Sequence, residues 1–205
     1  MPIQLTQKHL NYMNLGRRYQ CATLGGLTKS QKEGVSSYVT NLEAYLRVGM
    51  GAFLWGPNRS GKTYISAALC KAVWGRYRVS SYSVSAEELK ECWIHPDIEA
   101  HPGSSETMLD RVKAVRFLII DDLAKEYRTA SGFSENKLGA LIRMRQKDLK
   151  ITTITTNLSP DQFEKVYGKS SFELVRESML PCKIDGENMR ERVLTSIKQQ
   201  LETKE

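Results

Sequence analysis

Apolar positions recur along this chain in two rhythms. Between residues 30 and 48, Val35, Tyr38, Val39, Leu42, Tyr45 and Leu46 return at steps of three and four, which predicts one amphipathic helix. Ala52-Phe53-Leu54-Trp55 and Phe117-Leu118-Ile119-Ile120 are instead unbroken apolar runs, as expected of central parallel strands covered on both faces. Residues 78–84 alternate like a strand, residues 149–157 are rich in β-branched Thr and Ile, and residues 181–185 read as a last strand. Helical patterns occupy residues 4–15, 63–76, 109–112, 134–146, 159–166, 170–179 and a polar tail at 190–201. Ser85 and Glu88 resemble a capping box that opens another helix, and residues 94–106, with two prolines and a glycine, read as a loop. Strands alternating with helices predict an α/β fold built on a parallel sheet.

Between the first strand and its helix stands Gly56-Pro57-Asn58-Arg59-Ser60-Gly61-Lys62-Thr63. This is the phosphate-binding loop pattern in its proper setting, strand before and helix after. Gly56 and Gly61 let the backbone approach a phosphate with no Cβ in the way, so that N–H groups and the helix N-terminus face the anion. Lys62 adds a charge at the β- and γ-phosphates of ATP, and the Thr63 hydroxyl would hold Mg²⁺ between them. The next apolar run ends in Asp121-Asp122, at the carboxyl end of its strand, where ligands bind in open α/β sheets. Asp121 would hold Mg²⁺, and Asp122 would polarise the attacking water. The β-branched strand ends in Thr155-Thr156-Asn157, where Asn157 is either a turn residue or a holder of that water or of the γ-phosphate.

Composition narrows the setting. No apolar run is long enough to cross a bilayer and the N-terminus has no signal-peptide core, so a cytoplasmic protein without a membrane partner is expected. Four scattered cysteines, Cys21, Cys70, Cys92 and Cys182, form no metal or disulfide pattern; Cys70 and Cys182 read as small core residues. A net charge of +7 suggests a polyanionic partner beyond ATP. Lys125, Arg128 and Lys137 flank Thr129-Ala130-Ser131-Gly132, a segment suited to phosphate contacts. Arg143 and Arg145 lie two apart on one helix, so only one of them would face DNA or a neighbour's nucleotide.

With phosphate loop, Asp121-Asp122 and Thr155-Thr156-Asn157 in this order, the chain resembles the AAA+ ATPases of the bacterial and phage helicase-loader group, DnaC- and DnaI-like and related to the transposition ATPase IstB. The likeness extends over residues 19–193 and includes Gly186-Glu187-Asn188-Met189-Arg190, similar to the group's closing G-x-x-[YF]-R. It implies a P-loop NTPase core with a five-stranded parallel sheet, which would occupy residues 46–205 after the short helical leader at 1–45; the few residues after Asn157 leave little room for a separate lid domain. It also implies that Asn157 is the sensor 1 residue, that Arg190 reaches the γ-phosphate, and that the protein forms a homo-oligomer through ATP-bridged interfaces. Single-stranded DNA would lie along the inner face, reached by the segment after the Asp pair, with a replicative helicase as the protein partner.

Three departures bear on that expectation. Asp122 stands where many members have Glu; its shorter side chain reaches less far, and slow hydrolysis is expected. The trans-acting arginine finger has Arg176 as its nearest counterpart, offset by about two residues. Group members carry a substantial N-terminal helicase-binding domain where this chain has only the leader, which would take over that role or mark a stand-alone form. An IstB-like regulator of DNA transposition is the alternative, and a small-molecule P-loop kinase a more distant one, because the Asp pair, Asn157 and Arg190 do not suit a kinase.

Overall fold

The computed structural model describes residues 5–123 and 133–185. In chain order the described elements are α1 (Gln7–Tyr12), a 3₁₀ turn (Arg17–Tyr19), α2 (Lys29–Thr40), α3 (Leu42–Val48), β1 (Gly51–Trp55) and α4 (Lys62–Tyr77). They continue with β2 (Ser81–Ser85), α5 (Ala86–Ile94), α6 (Met108–Ala114), β3 (Phe117–Asp121) and α7 (Phe133–Lys147). The last are β4 (Ile151–Thr156), α8 (Pro160–Tyr167), α9 (Lys169–Ser178) and β5 (Met179–Lys183). The five strands form one parallel sheet in the order β2-β3-β4-β1-β5, as the expected P-loop fold requires.

Period-two alternation divides the core. Ala52, Leu54, Phe117 and Ile119 point to one face and pack with α4 and the leader; Phe53, Leu118, Ile120 and Ile154 point to the other, against α5, α6, α7 and α8. Each unbroken apolar run therefore feeds two cores at once. Met13, Leu15, Ala22 and Leu27 of the leader are buried in the first of them. The leader also occupies the free edge of β2, since Ser83 N–H donates to the Met13 carbonyl (2.9 Å) and the Asn14 amide donates to Ser83 O (2.9 Å). A strand edge covered in this way is closed to other strands.

Several boundaries differ from the sequence reading. The helix expected over residues 30–48 is two helices, because Asn41 leaves helical geometry (φ −102°, ψ 16°) while its side-chain amide donates to Ser37 O at 3.0 Å. A short amide that satisfies backbone locally competes with the helix. The second strand begins only at Ser81, since Arg78 closes α4 in the left-handed region with φ 57°. The last strand is Met179–Lys183 rather than 181–185; its Pro181, which lacks an N–H, is tolerated because β5 lies at the sheet edge. Gly34 lets α2 cross β5 closely, for a Cβ there would stand 2.4 Å from the Lys183 carbonyl oxygen. Cys70 and Cys182 are buried core residues as expected, and Cys92 is buried as well.

Candidate functional site

The phosphate loop leaves β1 at Gly56, whose φ of 150° and close approach to Ile184 leave no room for a side chain: a Cβ would meet the Ile184 carbonyl oxygen at 2.3 Å. Gly61, at φ 93°, then caps α4 and directs the helix N-terminus into the loop. Lys62, only 8% exposed, spans the turn and donates from Nζ to the carbonyls of Gly56 (3.0 Å) and Pro57 (2.8 Å). Burial pushes its pKa down, and the carboxylates of Asp122 and Asp121 act against that shift. The loop is braced from the leader, where Gln31, almost wholly buried, donates its amide to Ser60 O at 2.9 Å. Gln31 is also the N3 residue of the α2 capping box with Thr28, so one side chain ties the helix start to the loop. The Ser60 hydroxyl is buried with no hydrogen-bond partner among the described residues, which suits a loop built to receive a further polar group.

At the end of β3, Asp121 is held from the first turn of α4 and from the neighbouring strand. Thr63 Oγ1 donates to its Oδ2 (3.0 Å), and Thr155 Oγ1, at the end of neighbouring β4, donates to its Oδ1 (2.6 Å). Burial raises the Asp121 pKa first of all; the hydrogen bonds from Thr155 and Thr63 lower it, Asp122 raises it and Lys62 lowers it. Asp122 follows in the left-handed region (φ 58°), exposed, with its N–H donating to Thr155 Oγ1 at 2.8 Å. Thr155 thus fixes both members of the pair. Leu123 N–H donates to Thr155 O at 2.8 Å and Thr156 Oγ1 donates to Leu123 O, so the turn after β3 is sewn onto the end of β4. Asn157, the next residue, donates from its amide to Asn58 Oδ1 in the phosphate loop at 3.3 Å.

These contacts bring Thr63, Asp121, Asp122 and Asn157 to the loop formed by Gly56, Pro57, Asn58, Arg59, Ser60, Gly61 and Lys62. The hydroxyl of Thr63 and the carboxylate of Asp121 are adjacent hard-oxygen donors, and that set suits Mg²⁺, which takes few protein ligands and keeps waters. Among the described residues no group of three or more His, Cys, Asp or Glu forms a metal cluster elsewhere. Beside Thr63 and Asp121 opens a cavity of about 400 Å³, lined by Asn14, Gly16 and Tyr19 of the leader and by Ser85 and Glu88 where β2 meets α5.

Arg176 is exposed on α9 with its guanidinium 5.8 Å from the Phe172 ring, and it is not brought to the nucleotide end of its own chain. Arg190 lies outside the described residues, as do Lys125, Arg128 and residues 129–132. Of Arg143 and Arg145, only one of which is expected to face outward, Arg145 is the inward one and is fully buried. Its Nε donates to Thr152 Oγ1 (2.9 Å), one Nη to the carbonyls of Val112 (2.7 Å) and Val115 (2.9 Å), and the other to Ile151 (2.7 Å) and Arg116 (3.4 Å). It locks the end of α7 to the starts of β3 and β4, and burial pushes its pKa down to about 9. Arg143 is exposed and donates to Ser170 Oγ at 3.2 Å.

Sequence reasoning missed Gln31 and the bridging role of Thr155. The Thr28/Gln31 capping-box spacing was a signal for the first; the second had none, because the Thr155 to Asp121 bond depends on β3–β4 register.

The fold has close counterparts. The chain superposes on the DnaC helicase loader with a TM-score of 0.70 at 21% identity, covering 83% of this chain and all of that one. It matches DnaI with a TM-score of 0.67 at 23% identity over 87% and 98% of the two chains. AMPPCP-bound DnaA from Aquifex aeolicus gives 0.61 at 17% identity, over 90% of this chain and 56% of that one. At these identities the likeness establishes the P-loop AAA+ fold. No curated protein matches this chain by sequence. The sequence profile of the IstB-like ATP binding proteins matches residues 30–180, most of the chain including the phosphate loop, Asp121-Asp122 and Asn157, and the protein belongs to that family.

Proposed function

We propose that this protein is an ATP-hydrolysing helicase loader that oligomerises through ATP-bridged interfaces, grips single-stranded DNA and holds a replicative helicase. The observation that carries the ATPase reading is the hydrogen-bonded chain Thr63–Asp121–Thr155–Asp122, set against Lys62 and closed by Asn157 on Asn58. The loader reading rests on the fold shared with DnaC and DnaI. Lys62 now bonds two neutral carbonyls; with ATP present it would exchange them for charged phosphate oxygens, adding ion-pair attraction to each bond. Thr63 and Asp121 would hold Mg²⁺, which when bound neutralises charge between the β- and γ-phosphates. Asp122, free of side-chain hydrogen bonds to Thr155, takes up proton charge from the attacking water, and Asn157 positions that water or the γ-phosphate. Arg190 would reach the γ-phosphate, and Arg176 would act across an interface on the nucleotide of the next subunit.

A second reading, an ATPase that regulates transposition and recruits a transposase, is favoured by the family match to IstB-like proteins. Purified protein immobilised with ATP or with ADP should retain a replicative helicase and not a transposase. Retention of transposase alone would overturn the loader reading in favour of the second. If Lys62→Ala bound ATP as the parent does, both would fall.

A further inference from the structure

Because the sheet is parallel, the nucleotide end lies at the carboxyl ends of the strands and every strand starts at the opposite end. There a groove of about 510 Å³ lies between α3, the end of α4 and the start of β3, lined among others by Leu46, Arg47, Tyr77, Arg78 and Arg116. All three arginines are exposed. Among the described residues that line it the one carboxylate is Glu43, which pairs with Arg47 at 2.5 Å in an open, solvent-exposed i,i+4 contact. Such pairs are worth little and yield readily to another anion.

Helix dipoles draw cations to helix C-termini, and that accounts in part for Arg47. Helix ends account in part for the others too, since Arg78 is the C-cap of α4 and Arg116, which directly precedes β3, spends one Nη on Leu46 O (3.0 Å) in the last turn of α3; what they leave unexplained is that all three line one concavity. Arg78 adopts the left-handed geometry that favours glycine, and its guanidinium sits 5.7 Å from the Trp74 ring. A strained position kept by a long cation, facing a concavity with two others, points to function. On the next strand start, about 4.8 Å further along the sheet, Lys150 is joined to Lys113 O at 3.0 Å and paired with Asp148 at 3.2 Å, so it adds little free charge to the row. Tyr77, half-buried on the groove wall, offers a ring to the same space, and Val48 (60% exposed) and Leu149 (52% exposed) add apolar surface nearby.

We infer that this groove binds single-stranded nucleic acid, with phosphates on Arg47, Arg78 and Arg116 and a base or sugar against Tyr77. A cationic track beside an aromatic ring is the arrangement that holds single strands without regard to sequence. The site is separate from the nucleotide end by the length of a five-residue strand, on the order of 15 Å, and it stands whether or not the loader reading does.

The test is fluorescence anisotropy with a labelled oligo-dT strand and a duplex of equal length, each over a salt series. Arg47→Gln with Arg78→Gln should flatten the dependence of log affinity on log salt by about 1.4 for the single strand, two contacts at about 0.7 each. Tyr77→Leu should leave that slope intact and weaken the single strand about fivefold to a hundredfold, with a smaller effect on the duplex, since only unpaired bases stack. Both variants should melt near the parent temperature and bind an ATP analogue as the parent does. Parent affinity and slope in the arginine pair would overturn the inference, as would equal loss of single strand and duplex in Tyr77→Leu. So would a groove whose charge reversal spares DNA and instead releases an acidic protein partner. Loss of helicase retention with these effects intact would fault the loader reading alone.

Discussion

Lys62 and Arg145 are both buried cations, and their surroundings differ in the way a working site differs from a structural one. Burial lowers the pKa of both. Arg145 uses its whole planar fork on five acceptors, four of them carbonyls at the corner of α6, β3 and β4, and it has no room to trade any of them. Lys62 has two carbonyls of a tight loop and two carboxylates nearby, a holding position that an incoming triphosphate improves. A buried charge with every donor committed fixes the fold, whereas one with donors on exchangeable partners is available for chemistry.

The comparison breaks first at Arg145. Arg145→Met should cost about 3–5 kcal/mol in urea unfolding, because it strands several buried carbonyls at once, and the residual folded protein should bind ATP normally. Arg145→Lys should recover only part of the loss, since a compact ammonium with three donors cannot reach acceptors arranged for a fork. An unfolding midpoint like the parent's in Arg145→Met would show that the corner holds without the cation.

Lys62→Ala should do the reverse. ATP affinity measured by calorimetry should fall by about a hundredfold or more, while stability stays within about 1 kcal/mol of the parent. A collapse of stability with ATP binding kept would exchange the roles assigned to the two cations.

The carboxylates sharpen the contrast within the site itself. Asp122→Asn should slow ATP hydrolysis about 10²- to 10⁴-fold in single-turnover assays and leave ATP affinity unchanged, while Asp121→Asn should weaken the dependence of binding on Mg²⁺. Hydrolysis at the parent rate in both would make the pair structural.

The smallest expected effect is on pH dependence. Asp121 has its folded pKa raised by burial, so the neutral form is the one that folding favours. Its contribution to stability is therefore complete below the ordinary carboxylate pKa and is lost as pH rises through the raised folded value. In the absence of nucleotide and metal, the stability difference between parent and Asp121→Asn should move against the parent as pH rises out of the acid range. A difference that is flat with pH, or that moves the other way, would mean that the bonds from Thr63 and Thr155 outweigh burial.

Much of this was open to reading in one dimension. Gly56 to Thr63 is a local motif whose geometry is set by its own glycines and by the helix it opens, and the runs 52–55 and 117–120 carry their double burial in their composition. Ser85 with Glu88 and Ser159 with Gln162 close their capping boxes within a single turn, so no distant contact was needed to foresee these helix starts. Other features depend on which segments meet. Asn41 interrupts a helical pattern that spacing alone would continue. Nothing in the sequence separates Arg143 from Arg145, yet one is exposed and the other wholly buried, because a helix turns about 100° per residue and only the packing of α7 on β3 and β4 says which side is inward. Thr155 reaches Asp121, Gln31 reaches Ser60, and Arg47 meets Arg78 and Arg116 across separations of roughly 30 residues or more. Local chemistry chose the loop, the strands and most of the helix ends; sheet order and register, which are properties of the assembled layers, chose the partners of Asp121, the brace on the loop and the fate of each buried charge.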